Sequence, residues 1–182
     1  MATVQSEAQK GKKELIIVGT SHGEILQMQV TPNNSVIFHA ETKYKVAEGH
    51  AVMSICGDRS SDTFLVGTSN NYILHFRMQD HKLPILNRTH ASVFSQTVNS
   101  IVVLKGGKSN FYAAGLANGL VRIFDCQDCH HLVDIQAHSR AINAMAPHSD
   151  LPIFATVGDD TMVNVWSLDV DGQQAVKDVK LI

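Results

Sequence analysis

Cys126-Gln-Asp-Cys129-His130 spells the C-x-x-C-H string of covalent haem attachment. That chemistry needs two accessible thiols, an axial imidazole and an export route, and the N-terminus has no basic stretch leading into an apolar one. Zinc is the better rival, since C-x-x-C is half of a structural site. No second Cys/His pair follows at zinc spacing, however. His130 and His131 are also adjacent, and adjacent strand residues point to opposite faces. Gly106-Gly-Lys108-Ser109 ends like a phosphate loop, but Val102 stands where the leading glycine belongs and a strand-like run follows instead of a helix. The ten histidines scatter without an H-E-x-x-H pair. No Ser/His/Asp or Cys/His set is spaced for nucleophilic catalysis. The expectation is a chain that is not an enzyme, with no metal and no cofactor. Zinc on Cys126, Cys129 and His130 is kept as the alternative.

The elements that would position any site must come from an ordinary folded core. Of 182 residues, 44% are hydrophobic and 18% charged, and 15 Lys+Arg against 17 Asp+Glu give a net charge of −2. Such a balance offers no basic field for nucleic acid. No apolar run is long enough for a membrane span. Three cysteines, an odd count, argue against a disulfide framework and for a reducing compartment. The cytoplasm is expected, with the nucleus left open.

The chain repeats itself. Leu15–Met28, Thr63–Phe76, Phe111–Phe124 and Ile153–Trp166 align without gaps, each an apolar run, a small polar turn and a second apolar run. Gly19, Gly67, Gly115 and Val157 mark the same position at steps of 48, 48 and 42 residues. Periods of about 40–50 residues belong to propellers and related arrays. The turns (Ser21-His-Gly23, Ser69-Asn-Asn71, Ala117-Asn-Gly119, Asp159-Asp-Thr161) carry residue types that tolerate positive φ, which makes each pair of runs a hairpin. A further strand is expected before each hairpin, at 3–8, 52–56, 97–104 and 141–146. Another is expected after it, at 35–41, 83–88, 131–135 and 175–181. Four units of four strands predict an all-β propeller segment over 1–182, with blades at about 3–41, 50–88, 96–135 and 140–181.

The last unit is the most specific. Ala137-His138, Thr156, Asp160 and Trp166 stand where a WD repeat carries its blade-entry His, second-strand Ser/Thr, tight-turn Asp and third-strand Trp, so this unit resembles the WD-repeat family. The resemblance implies that these four side chains form a buried structural network. It also implies a non-enzymatic interaction scaffold whose partners are other proteins. His50 and Arg140, beside blade entries, are the candidate partner contacts. Four blades leave two open edges. The chain is therefore expected to be part of a larger ring, either as a truncated form of a longer propeller or by self-association of two copies through those edges into eight blades, or else to close alone as four.

Overall fold

The computed structural model describes residues 14–30, 33, 35–46, 49–57, 63–77, 83–90, 96–106, 109–171 and 175–182. Every regular element among them is a β-strand. The first sheet contains β1 (Glu14–Gly19), β2 (Glu24–Val30) and β3 (Val36–Lys45). The second contains β4 (Val52–Gly57), β5 (Thr63–Thr68), β6 (Tyr72–Arg77) and β7 (Ile85–His90). The third contains β8 (Val98–Gly106), β9 (Ser109–Leu116), β10 (Leu120–Asp125) and β11 (His131–Gln136). The fourth contains β12 (Ile142–Pro147), β13 (Ile153–Gly158), β14 (Val163–Val170) and β15 (Val176–Leu181). Each sheet is an antiparallel meander whose strands neighbour one another in chain order.

The repeat read in the sequence is a repeat of backbone conformation. The β1–β2, β5–β6, β9–β10 and β13–β14 turns each have one residue at positive φ: Gly23 (75°), Asn71 (70°), Gly119 (84°) and Thr161 (67°). These positions are again 48, 48 and 42 residues apart. Three of the four are the Gly or Asn that occupy this region at low cost. A second device recurs in the pairing of first and second strands, where the register slips between Val52 and Ser54, Val98 and Ser100, and Ile142 and Ala144.

The sheets stack as a fan. β8 packs between β4 and β12, so the first strands gather on the inside, while outer strands such as β11 and β15 keep exposed positions along their length. Because neighbours cover both faces of the middle strands, β5 is buried on both sides. Three apolar clusters join the sheets: Ile17, Ile25, Phe64 and Phe76 between first and second, Leu65, Ile73, Ile101 and Tyr112 between second and third, and Phe111, Val121, Phe154 and Trp166 between third and fourth. The approach is close enough to need glycine. A Cβ on Gly67 would lie 2.6 Å from Val98 Cγ1, and one on Gly115 would lie 2.8 Å from Ile142 Cγ2. Serine hydroxyls lock the same seams: the Ile101 N–H donates to Ser54 Oγ (2.9 Å) and the Met145 N–H to Ser100 Oγ (3.2 Å).

The strand expected at 3–8 lies outside the described residues, and the first sheet shows three described strands. Two other expected boundaries need correction. β3 continues past residue 41 to Lys45, because it stays paired with β2 as far as Glu24↔Lys45. β7 runs Ile85–His90 where 83–88 was expected, because Leu83 serves another purpose. It is buried, and its N–H donates to Tyr44 Oη of the first sheet at 3.1 Å.

Candidate functional site

The fourth sheet brings His138, Thr156, Asp160 and Trp166 into one hydrogen-bonded chain. β13 supplies Thr156, its turn supplies Asp160, β14 supplies Trp166, and the segment entering β12 supplies His138. His138 Nδ1 lies 2.9 Å from Asp160 Oδ1, and His138 Nε2 lies 2.7 Å from Thr156 Oγ1. Trp166 Nε1 donates to the same Thr156 oxygen at 3.0 Å. Indole N–H only donates and a carboxylate only accepts, so one tautomer satisfies every atom. The ring proton sits on Nδ1 and points to Asp160, while Nε2 accepts from the Thr156 hydroxyl.

Asp160 also binds backbone. Its Oδ2 accepts the Ser139 N–H (2.9 Å) and its Oδ1 the Met162 N–H (3.2 Å). Burial alone would raise its carboxyl pKa, but the Ser139 N–H, the His138 ring and the Met162 N–H outweigh that and bring it down to about 2. An ionised carboxylate thereby ties the turn to the entry segment.

The same entry is latched to the third sheet. Gly119 O accepts both the Ala137 and His138 N–H groups at 3.0 Å. Gln136 Nε2 donates to Asn118 O (3.1 Å) and His138 O (2.8 Å), and Asn164 Nδ2 donates to Ala137 O (2.8 Å). Gln136, Asn164 and the seam serines went unnoticed in the sequence. The serines fall out of step with the hairpin repeat in the sequence, and only the pairing of Ser54 with Gly67 and of Ser100 with Gly115 shows them to be equivalent.

The second and third sheets carry reduced versions of the network. Asn70 and Asn118 stand at the Asp160 position and Phe76 and Phe124 at the Trp166 position. There the turn is held locally, as where the Thr68 hydroxyl donates to Asn70 Oδ1 at 2.6 Å. Gly106 closes β8 and pairs with Ser109 at the start of β9, so the phosphate-loop-like string is followed by a strand, as its sequence context suggests.

The Cys126/Cys129/His130 set does not converge. Cys129 is buried in the apolar cluster between second and third sheets, and burial, with Asp128 and Asp125 nearby, pushes its thiol up to about 12. Among the described residues the ligand atoms that gather within 4.8 Å are those of Asp125, Asp128 and His130. They already bind one another and the loop backbone. His130 Nδ1 lies 2.6 Å from Asp128 Oδ1, and Asp125 Oδ1 accepts the Gln127 N–H at 2.6 Å. His50 and Arg140 are both exposed, but at entries to the second and fourth sheets, with the third sheet between them. They form two separate positions on the loop surface.

Fold and network together define a WD-repeat β-propeller segment. The WDR54 family profile matches residues 15–181, and the chain belongs to that family. Human WD repeat-containing protein 54 is 38% identical over 56 residues, which are 31% of this chain and 17% of that protein. Among solved structures, the β-propeller domain of Myceliophteria thermophila Cps50 (Swd1) superposes with a TM-score of 0.69 at 18% identity, covering 92% of this chain and 50% of that one. Chaetomium thermophilum Raptor gives 0.65 at 18% identity, covering 93% of this chain and 15% of its own. At such identities these two likenesses concern the fold. The chain spans half of the Cps50 propeller domain and a smaller share of Raptor.

Proposed function

We propose that this chain is a non-enzymatic scaffold that binds other proteins through the loops at the ends of its sheets, in the cytoplasm, where its three free cysteines suit a reducing milieu. The observation that carries the reading is the contrast at the fourth blade entry. The backbone of 137–139 is pinned by five hydrogen bonds to Gly119, Gln136, Asn164 and Asp160, while the next side chain, Arg140, is exposed. A rigid backbone presenting a free guanidinium loses little entropy on binding. Arginine is also favoured at the centres of protein interfaces.

The test is affinity capture from cell extract with the chain and its Arg140→Glu and His50→Glu variants, quantified by mass spectrometry. Proteins retained by the parent and depleted at least tenfold by either variant, with melting temperatures unchanged, support the reading. An identical retained set for all three proteins would remove both positions from the interface.

A further inference from the structure

The two ends of the fan are the two halves of one kind of interface. On the fourth sheet, Ala144, Ala155, Val157, Val163 and Val165 share the face turned away from the third sheet, as their direct pairings Ala144↔Val157, Val157↔Val163 and Ala155↔Val165 require. Val163 is 65% exposed and Val165 36%. The positions paired in the same way in the third sheet are Ser100, Ala113, Gly115, Val121 and Ile123. The fourth sheet covers that face, and Ala113, Val121 and Ile123 are fully buried beneath it.

At the other end, Ile16 pairs with Met28 and Val18 with Leu26, so these four share the first sheet's outward face, all partly exposed. Their counterparts in the second sheet are Phe64, Val66, Leu74 and Phe76, all buried in the cluster joined to the first sheet. One end thus carries the covered half of a sheet–sheet contact and the other carries the covering half, and neither meets its complement among the described residues.

We propose that a second copy of this chain supplies both complements, the fourth sheet of each copy packing on the first sheet of the other to close one ring. This goes beyond the loop-binding reading and does not depend on it. Two observations favour a second copy as the occupant. The chain covers half of the Cps50 propeller domain, so two copies together match that domain in length. Each copy also carries both complementary faces, and a head-to-tail contact made twice closes without leaving a free end. The seam between copies is looser than the internal ones. Ala144 replaces the seam serine and Val157 replaces the seam glycine, so the closest approach and the cross-seam hydrogen bond are both lost there. The dimer is therefore reversible.

Sedimentation equilibrium and light scattering across a concentration series test this. The expected mass rises from 19.9 kDa toward twice that value. Val163→Lys and Met28→Lys each block one face and should each give a monomer alone, because every copy then lacks the same half. Mixing the two variants restores one intact seam and should restore a dimer, which also proves both variants folded. A parent chain that stays monomeric to its solubility limit overturns the proposal. Val163→Lys monomeric with Met28→Lys still dimeric points to fourth-sheet faces meeting each other, and overturns it too. Dimers that survive both variants do the same. None of these outcomes bears on Arg140 or His50.

Discussion

Thr156 Oγ1 lies 2.7 Å from His138 Nε2, and both side chains are buried. The hydroxyl serves both the imidazole and the Trp166 indole. It joins the entry segment to the middle of the sheet, so the blade's three parts hang on one oxygen.

Thr156→Val keeps the shape and removes that oxygen. It leaves His138 Nε2 and Trp166 Nε1 buried without partners, a loss of about 1–3 kcal/mol for each unsatisfied group. Urea denaturation should show the midpoint falling at unchanged slope. Thr156→Ser, which keeps the hydroxyl, should recover most of the difference.

Asp160 predicts an acid limb. Its carboxyl is depressed from 3.8 to about 2, so the folded state holds the ionised form at a pH where the unfolded chain has taken a proton. The stabilisation is complete above pH 3.8 and is lost as pH falls through about 2. Melting curves of the parent and Asp160→Asn should differ most near neutral pH, the variant melting lower. The two should converge as pH drops through that window.

His75 adds a second acid-side loss of stability, beginning at a higher pH. It is 2% exposed on the face of β6 covered by the third sheet, where the same repeat position holds Ile123 and Val165. Its Nε2 has no hydrogen-bond partner among the described residues, and the ring stands edge-on to Tyr112. Burial, with a smaller push from Arg77, lowers its pKa below 6.5. The unfolded chain therefore binds the proton first, and stability should fall as pH drops below 6.5. His75→Ile should flatten that part of the melting-temperature profile. A parallel decline in parent and variant would show that other groups cause it.

Thr161 holds the left-handed turn position that Gly23 and Gly119 fill elsewhere. A β-branched residue pays roughly 1–2 kcal/mol there. Thr161→Gly should raise the melting temperature, less roughly 0.4–1 kcal/mol for added chain entropy in the unfolded state. Gly119→Ala should lower it sharply, because a Cβ there would collide with the His138 carbonyl oxygen.

Cys129 is predicted to be silent. A buried thiol pushed up to about 12 is protonated at neutral pH and not nucleophilic. Iodoacetamide should label it only after denaturation. Added zinc should leave the melting temperature unchanged within error. A stoichiometric rise abolished by Cys129→Ala would restore the zinc alternative.

Much of this fold is legible along the chain because its information is local. Apolar runs split by Ser/Asn/Asp/Gly turns specify hairpins, and the turn residues carry their own backbone preference, so steps of 48, 48 and 42 already describe successive sheets. His138, Thr156, Asp160 and Trp166 lie within one unit, where strand pairing alone brings them together. The rest required contacts between units. Whether Ser54 is a surface hydroxyl or a seam lock depends on Ile101, 47 residues away. Cys129, in a string that reads as a metal site, is drawn into the core because a neighbouring sheet makes that side of its loop apolar. β7 starts late because Tyr44 of another sheet holds Leu83. Pattern and turn chemistry act over a few residues and are written in order. Burial is decided by which surface arrives from elsewhere, and only the packed sheets contain that.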